Sequence, residues 1–435
     1  MSQNTYADHI ATLQARSAVA LARAGREHLL IAAGVQKYHF LDDRPYPFQV
    51  NPHFKHWLPL TEHPHCWLSI TPGEKPVLVY YQPDDYWHLP PETPAGFWVD
   101  HFDIRIVADR AQIAAHLPPA ARCAIIGEAD AAEDGHVPDN PAAVLDYLHY
   151  HRAFKTPWEL EQMRVATQRA VRGHRAAEAA FRAGASELGI HRAYLEATGH
   201  SDFDLPYTNI IGLNEHGAVL HYQHLDAQPP ARSRSFLIDA GAQHNGYAAD
   251  ITRSHGDGDD DFAAVLAAME TVQLQLVDGV RAGQHYVALH RRAHHLIAGV
   301  LRDLDIVRMT PEAMVDSGVS NVFFPHGLGH LLGLQVHDVA GFQPGEDGGH
   351  VAAPEQYPAL RLTRTLAPGM VVTIEPGLYF IDTLLRRLRA GPHGKALNEP
   401  LIAHLRQFGG VRIEDDVACT GDAPENLTRD AWQRH

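Results

Sequence analysis

The stretch "SFLIDAGAQHNGYAADITRSH", residues 235–255, is the part of the chain that most restricts its fold. Its apolar residues alternate with their neighbours as they do in a half-buried strand. The dipeptide Asn245-Gly246 has the turn chemistry of a two-residue hairpin loop. The sequence therefore predicts a β-hairpin whose two arms each carry an aspartate, Asp239 and Asp250.

The register of this hairpin decides how close the two acids come. A turn centred between His244 and Asn245 places Asp239 directly opposite Asp250, whereas a turn centred on Asn245-Gly246 places them one diagonal step apart on the same face. Directly opposed side chains have Cβ atoms about 4.5–5.5 Å apart, and like charges at that distance repel each other. Either the acids are solvated at the hairpin tip or a cation lies between them. The rest of the chain must supply further ligands if a cation is to be favoured.

Length and charge exclude several classes of protein. With 435 residues, the chain exceeds one ordinary core and indicates two or three domains. A hydrophobic fraction of 45% and a charged fraction of 20% are typical of a folded globular protein. A formal net charge of −16 without any Lys/Arg tract argues against a nucleic-acid partner. The 32 histidines permit metal chemistry but do not prove it.

The cysteines and the N-terminus indicate the compartment. Cys66, Cys123 and Cys419 are odd in number and far apart, which fits reduced thiols and neither a disulfide framework nor a CxxC metal site. Residues 1–25 lack the apolar segment of a secretion signal, and no apolar run approaches the roughly 18 residues of a membrane-spanning helix. We expect a cytoplasmic protein without a membrane partner.

Residues 1–155 are predicted to form a small α/β domain. Residues 6–24 have the pattern of an amphipathic helix. Short strand-like runs interleaved with helical stretches then indicate a layered domain. These runs are 28–34, 76–82, 102–109 and 123–128. Residues 41–59, rich in Pro, His and aromatic residues, are predicted to form a long loop.

Residues 156–435 are predicted to form an α+β domain. The stretch 156–184 begins with the capping-box pattern Thr-Pro-x-Glu and ends at Gly184, which predicts a long helix. Further helices are predicted at 262–281 and 287–304, and strands at "MVVTIEPGLYF" and "GGVRIEDDVACT". Long helices packed on an antiparallel sheet give an α+β architecture.

Histidines form the first group of candidate functional residues. His326 and His330 have the H-x-x-x-H spacing of a zinc helix, and His337 follows them. The two glycines between the first pair argue against a regular helix, so we do not expect both to bind one metal from one helical face. His221 and His224 form a second pair. Each of these histidines could equally be an ordinary core residue.

Acids in strand-like surroundings form the second group. Glu375 lies in a Val/Ile strand, and acids are rarely fully buried unless they are paired or bind a metal. Arg412 and Glu414 share a strand face by period two. The following pair, Asp415 and Asp416, is expected to be solvated.

Four carboxylates and one imidazole are provided by Asp239, Asp250, Glu375 and Glu414 together with one histidine. Such a set suits divalent Mn, Co or Zn better than it suits a structural tetrahedral zinc. It provides too many ligands for one metal with an open position but suits two metals about 3.5–4 Å apart with bridging carboxylates. Four converging acids without metals would destabilise one another, so a two-metal hydrolase explains the pattern as well as solvated acids do.

The motifs around these residues resemble those of the pita-bread metallopeptidases. They are "LIDAG", "DITR", "HGLGH", "VHD", "TIEPG" and "RIED". Within that superfamily the chain resembles prolidases, the Xaa-Pro dipeptidases, and among them the bacterial branch with the organophosphorus acid anhydrolases. The likeness covers essentially the whole chain. It implies a pita-bread catalytic domain at 156–435 behind a smaller α/β domain that closes the substrate pocket and makes dimer contacts.

The resemblance also implies a ligand set for two divalent ions, of which Mn²⁺ is the expected one. Asp239 would bind one ion, His330 and Glu375 the other, and Asp250 and Glu414 would bridge both. A bridging hydroxide would attack the imide bond of a Xaa-Pro dipeptide, and Glu375 would accept its proton.

The remaining family positions imply roles in the substrate pocket. His221 and His337 would line it, with His337 stabilising the tetrahedral oxyanion. Arg361 and Arg412 match positions that bind or orient the substrate carboxylate, although Arg412 could instead hold a metal-ligating carboxylate. Tyr207 would form a pocket wall or pack in the core.

Two further roles follow from the same resemblance. Asp43 would reach the pocket of a neighbouring subunit, which implies a homodimer, and His326 would support the ligands from behind.

Other activities remain open at this point. Aminopeptidase P shares the five ligands but cleaves longer peptides, and methionine aminopeptidase usually lacks the large N-terminal domain. Some pita-bread proteins are binding modules without metals, but such a module has no physical reason to keep four converging acids. We expect a Xaa-Pro dipeptidase with a side activity on organophosphorus triesters.

Overall fold

A computed structural model describes residues 3–434, which divide into two units. The first unit runs to Gln162 and includes the segment Gly345–Gly349; the second comprises Met163–Pro344 and the residues from His350 onward. The predicted division at residue 155 falls between two helices a few residues before the end of the first unit, and it stays a prediction. Residues 1, 2 and 435 of the predicted domains lie outside the described residues.

The first unit is built on a five-stranded sheet. Its strands are β1 His28–Ala32, β2 Trp67–Ile70, β3 Val77–Tyr81, β4 Asp103–Val107 and β5 Cys123–Ile126. They lie in the order β4-β3-β2-β1-β5, with β1–β5 and β3–β4 parallel and the other pairs antiparallel. Each predicted apolar run contains a strand. β2 was missed because its apolar residues follow a His- and Pro-rich segment.

Helices of the first unit agree only partly with the prediction. They are α1 Gln3–Ala24, α2 Pro52–Lys55 and α3 Ala142–Arg152. The predicted loop at 41–59 is wrong only at Pro52–Lys55, where α2 begins after Asn51, whose side chain accepts a hydrogen bond from the amide of His53 at 2.9 Å. Phe54 of this helix is buried, whereas Asp43 in the first half is exposed.

Helix α4, Pro157–Arg182, begins with the predicted capping box. The Thr156 amide donates to the Glu159 carboxylate at 2.8 Å, and the Glu159 amide donates to Oγ1 of Thr156 at 3.3 Å. These reciprocal bonds satisfy amides that a helix start otherwise leaves unpaired. The chain then leaves the helix through Gly184, whose φ of 77° is accessible to glycine without strain.

The second unit combines short antiparallel strands with long helices. Its strands are β6 Ile210–Leu213, β7 Ser235–Asp239, β8 Gln243–His244, β9 Tyr247–Ala248, β10 Thr252–Gly256, β11 Val371–Ile374, β12 Gly377–Tyr379, β13 Gly410–Arg412, β14 Asp415–Ala418 and β15 Glu425–Asn426. They pair as β10-β7-β6, β11-β14-β15, β12-β13 and β8-β9. Its remaining helices are α5 Glu187–Thr198, α6 Asp260–Val277, α7 Tyr286–Asp303, α8 Pro311–Asp316, α9 Ser320–Phe323, α10 Asp382–Ala390, α11 Glu399–Leu405 and α12 Leu427–Arg434. This content confirms the predicted α+β class.

The predicted hairpin forms with its turn on Asn245-Gly246. Both turn residues have positive φ, 49° and 84°, as a two-residue type I′ loop requires. Asp239 then pairs with Thr252, so Asp250 lies one diagonal step away, as the second of the two registers predicts. Asp250 is not inside an arm, however, because it lies between β9 and β10.

Isolated bridges bring distant segments to this hairpin. Thr252 bridges Glu414, whose amide donates to the Thr252 carbonyl at 3.0 Å. Away from the hairpin, the amide of Thr373 in β11 donates to the carbonyl of His330 at 3.0 Å. The backbone itself therefore positions two candidate ligands, Glu414 and His330.

The single strand predicted at "GGVRIEDDVACT" is wrong. β13 ends at Arg412 and β14 begins at Asp415, and the two strands belong to different sheets. Glu414 lies in the interruption, where its bridge to Thr252 replaces regular pairing.

The cysteines and helices add two observations. All three cysteines are free and buried. Among residues 3–434, no helix has both the length and the apolar character that a membrane crossing needs.

Candidate metal centre and active site

Three of the predicted ligands converge in the second unit. Asp250, His330 and Glu414 each offer one ligand atom, and these atoms all lie within 4.8 Å of one another. All three side chains are buried. Segments far apart in the sequence therefore bring two carboxylates and an imidazole to one point.

Tyr207 joins Asp239 to this group. Its hydroxyl lies 2.8 Å from Oδ1 of Asp239 and 2.5 Å from Oδ1 of Asp250. A phenol has one proton to donate, so it cannot fully satisfy two carboxylates at once. Tyr207 therefore contacts the acids themselves and is more than a wall of the pocket.

His330 is oriented as a metal ligand would be. Its Nδ1 lies 3.0 Å from the carbonyl of Leu331, and a proton on Nδ1 donated there leaves the Nε2 lone pair free. Nε2 faces Asp250 at 3.4 Å and Glu375 at 3.8 Å. A Cβ on Gly329 would overlap the Thr373 carbonyl oxygen, so only glycine lets the chain approach this closely. No helix covers this described segment, as the glycines predict.

Glu375 is the most accessible of the glutamates at the centre. It follows β11, and its amide donates to the Leu328 carbonyl at 2.9 Å. Its carboxylate lies 3.6 Å from Nδ1 of His326 and is 18% exposed. Burial raises the pKa of Glu375 to about 7.

The negative charges of the carboxylates at this centre favour the binding of a cation. Burial raises the pKa of Asp239, and burial together with the charge of Asp250 raises the pKa of Glu414 well above its usual value. Against four carboxylates, Arg412 and a protonated His330 offer at most two positive charges. The acids can all ionise only if further positive charge lies among them. Carboxylate oxygens with one imidazole nitrogen are a donor set that fits divalent metal ions.

Arg412 contacts a candidate ligand directly. Its Nη2 donates to Oδ2 of Asp239 at 2.7 Å and its Nη1 to the hydroxyl of Tyr379 at 2.9 Å. The side chain is 4% exposed. In the structure the guanidinium therefore holds a carboxylate of the centre, which is the second of the two roles considered for it.

The sequence reasoning missed two residues at the centre. The Thr252 hydroxyl donates to Oε2 of Glu414 at 2.6 Å and lies 3.2 Å from Nε of Arg412. The Tyr379 hydroxyl lies 2.8 Å from Nε2 of His326. Thr252 could have been found from its period-two spacing after Asp250, but no local signal distinguishes Tyr379.

Three predicted pocket residues lie at the exposed side of the centre. The His337 ring lies 4.3 Å from that of His330, and partial burial, with the charges of His330 and Arg361, lowers the pKa of His337 to about 4. His221 is exposed and close enough to both His326 and His337 for its charge to lower their pKa values further. Arg361 is exposed as well. Asp43 lies in the first unit, and its role stays a prediction.

The expectation that Asp415 and Asp416 are solvated is wrong. Both are fully buried. Asp415 accepts hydrogen bonds from Arg253 at 2.6 Å and Arg429 at 2.8 Å. Asp416 accepts the amide of Asp250 at 3.2 Å. Asp416 therefore holds the backbone of one proposed ligand, and Asp415 is paired with two arginines.

Comparisons with known proteins agree with this geometry. Residues 4–150 match the family model "Xaa-Pro dipeptidase, N-terminal domain", and residues 161–421 match "Metallopeptidase family M24". The Xaa-Pro dipeptidase of Xanthomonas campestris pv. campestris (strain B100) is 55% identical over 426 residues, which cover 98% of this chain and 97% of the relative. That of Stenotrophomonas maltophilia (strain K279a) is 52% identical over 429 residues, with coverage of 98% and 97%.

Solved structures show the same fold. Escherichia coli aminopeptidase P with the inhibitor Pro-Leu superposes with a TM-score of 0.73 at 21% identity, covering 99% of this chain and 96% of that one. Pseudomonas aeruginosa aminopeptidase PepP gives the same TM-score, identity and coverage. The predicted fold is confirmed: a smaller α/β domain followed by an α+β pita-bread domain.

Proposed function

The chain belongs to metallopeptidase family M24 and, within it, to the Xaa-Pro dipeptidases, and from this premise we propose that it cleaves Xaa-Pro dipeptides at a centre of two divalent metal ions. The proposed ligands are the predicted ones: Asp239, Asp250, His330, Glu375 and Glu414. Asp250 and Glu414 would be shared by both ions, Asp239 would bind one, and His330 with Glu375 the other.

One observation carries this proposal. Asp250 and Glu414 are buried around the imidazole of His330, and Arg412 balances only part of the charge of the carboxylates at the centre. Tyr207 offers one proton to two of them. Divalent cations would resolve both the charge and the missing hydrogen-bond donors.

The chain's own residues account for the proton transfers. When bound, the metal ions would supply Lewis acidity and an activated water at neutral pH. Glu375 is the best-placed base because it is more exposed than Glu414, 18% against 2%, and so faces the side from which substrate enters. It would take the proton of the attacking water and return it to the proline nitrogen that leaves.

The exposed histidines and Arg361 would bind the substrate. His337 is neutral at pH 7 because its pKa is about 4, and its remaining N–H can donate to the oxyanion that forms on the scissile carbonyl. His221 would line the same pocket. Arg361 would receive the carboxylate of the substrate proline by bidentate hydrogen bonds.

Substrate length separates this proposal from aminopeptidase P. The match of residues 4–150 to the dipeptidase N-terminal domain supports the dipeptidase, since the likeness to aminopeptidase P at 21% identity concerns the fold. The test compares Ala-Pro with Ala-Pro-Ala after removal of metal by EDTA and re-addition of Mn²⁺. Metal-restored cleavage of the dipeptide alone is expected. Equal cleavage of both peptides would instead establish aminopeptidase P.

The metal identity and the assembly are part of the proposal. Mn²⁺ is the expected ion, and Co²⁺ and Zn²⁺ accept the same ligands. A homodimer in which Asp43 closes the partner's pocket is supported by the exposure of the neighbouring Phe40 and Leu41, 90% and 91%, because such apolar side chains favour a covering surface. Sedimentation velocity tests the dimer, and tripeptide cleavage by Asp43→Ala tests the closure.

Two further expectations have their own tests. A phosphotriester side activity would use the same activated water at P=O, and fully metallated protein without measurable turnover of paraoxon would refute it. A cytoplasmic location agrees with three free, buried cysteines, and fractionation of cells tests it.

A further inference from the structure

Glu187 is not one of the proposed metal ligands. Its buried carboxylate accepts several hydrogen bonds. It is the first residue of α5 and is 1% exposed. Its Oε1 accepts the amide of Leu213 at 2.9 Å and lies 2.7 Å from Nδ1 of His216. Its Oε2 accepts the hydroxyl of Tyr222 at 2.8 Å and the amide of Asp226 at 2.9 Å. One carboxylate thus receives four hydrogen bonds from a single segment, residues 213–226.

These bonds hold both ends of that segment. Leu213 is the last residue of β6, where the segment begins, and Asp226 is where it returns to α5. A second hydrogen bond joins Asp226 to α5, because the amide of Leu188 donates to the Asp226 carbonyl at 3.1 Å. The segment between carries little regular structure apart from one short 3₁₀ turn at Asn214–Ala218. Glu187 therefore binds both ends of a segment with little regular structure of its own.

His221 lies on this segment, one residue before Tyr222. The Tyr222 ring is buried and packs in one apolar cluster with Tyr379, whose hydroxyl binds Arg412. His221 lies in the turn immediately before Tyr222, so anchoring Tyr222 in that cluster restricts where His221 can lie. His221 is exposed and lies near His326 and His337.

A carboxylate is required at position 187 because each oxygen faces a backbone N–H. The Tyr222 hydroxyl and the His216 ring can exchange donor and acceptor roles, but the amides of Leu213 and Asp226 can only donate. A glutamine has one acceptor oxygen, so it must turn its NH₂ group toward one of the two amides. The exchange of Glu187 for glutamine keeps the shape but loses at least one buried backbone hydrogen bond.

A metal ion is the competing explanation. Glu187, His216 and Asp226 have ligand atoms close enough to hold one. However, the Glu187 oxygens already receive N–H and O–H donors, and a cation would have to displace them. The cluster is satisfied without an ion.

We propose that Glu187 is a positioning residue that sets the place of His221 in the substrate pocket through the segment 213–226. The inference rests on the proposed function, because the role of His221 is part of it. Glu187 is buried and binds the segment that carries His221, so an effect of Glu187 on turnover would pass through that segment.

The decisive experiment is a double-mutant cycle on Ala-Pro hydrolysis with Mn²⁺-loaded protein. Glu187→Gln is expected to lower kcat/KM about tenfold in the wild-type background and less than about twofold in a His221→Ala background. Glu196→Gln, an exposed acid on the same helix, is the matched control and should have no effect in either. An equal loss in both backgrounds, or no loss in the wild type, would overturn the proposal.

Hydrogen exchange separates this inference from the proposed function. Faster exchange confined to residues 213–226 in Glu187→Gln and absent in Glu196→Gln supports the anchoring even if no Xaa-Pro dipeptide is cleaved by the wild type. Unchanged exchange in that segment would overturn it. If Glu187→Gln fails to fold, Tyr222→Phe, which removes one of the four donors, takes its place with the same expected results.

Discussion

Asp239 faces Thr252, not Asp250, across the β7–β10 ladder. This register leaves Asp250 in the gap between β9 and β10, where its amide donates to Asp416 and its carboxylate turns to His330 at 3.4 Å. The diagonal offset therefore separates two acids that would otherwise repel each other directly while keeping both on the face of the metal centre.

Asp250→Asn is expected to abolish Ala-Pro hydrolysis and leave the fold largely intact. The amide has the same shape but cannot supply the negative charge that a shared ligand of two cations needs. Metal content by mass spectrometry should fall, whereas the far-UV circular dichroism spectrum should not change. Asp303→Asn, an exposed acid at the end of α7, is the control. A fully active Asp250→Asn protein would mean that the ligand set is wrong.

Tyr207→Phe is expected to destabilise the metal-free protein more than the metal-loaded one. The lost hydroxyl is the donor between Asp239 and Asp250, and hydrogen bonds to charged groups contribute about 1.5–3 kcal/mol. Bound metal would stabilise the same two carboxylates in place of this hydrogen-bond donor. The rise in Tm on adding Mn²⁺ should therefore be larger in the variant than in the wild type. An equal rise in both proteins contradicts the idea.

Arg412→Lys is expected to weaken metal binding about 10- to 100-fold. Lysine keeps the charge but not the planar fork that reaches Asp239 and the Tyr379 hydroxyl together. The dependence of activity on Mn²⁺ concentration measures this change. If the Mn²⁺ dependence stays normal and only KM rises, Arg412 binds substrate instead.

Arg361→Lys is expected to show the opposite pattern. The side chain is exposed and lies near His337, away from the buried carboxylates, so its loss should raise KM for Ala-Pro with little effect on Mn²⁺ affinity. Steady-state kinetics at saturating Mn²⁺ measures it. A drop in kcat at unchanged KM would contradict a role in binding the substrate carboxylate.

Asp415 is expected to make stability sensitive to acid. Burial alone would raise its pKa, but the guanidinium groups of Arg253 and Arg429 outweigh burial and lower the pKa of Asp415 to about 2. The unfolded value is about 3.9, so the ionised form contributes about 2.5 kcal/mol above that pH, and this is lost as the pH falls toward 2. The difference in unfolding free energy between wild type and Asp415→Asn, measured by urea denaturation, should shrink from pH 6 to pH 3. A constant difference would refute the linkage.

The elements that could be predicted depend on neighbours in the sequence. The capping box of α4 joins Thr156 to Glu159, three residues away, and the turn of the hairpin follows from the positive φ that Asn245 and Gly246 tolerate. The family motifs are also short stretches of sequence, and they identified the five proposed metal ligands.

What the sequence determined was thus the set of local elements and the residues available for a metal site. The tertiary structure alone decided how they meet: Glu414 reaches Thr252 across 162 residues, Arg412 binds Asp239 across 173, and Asp415 is buried beside two arginines. No local pattern encodes such pairings, because they depend on which distant strands the folded core brings together. Burial at the metal centre then raises the pKa values of Asp239, Glu375 and Glu414.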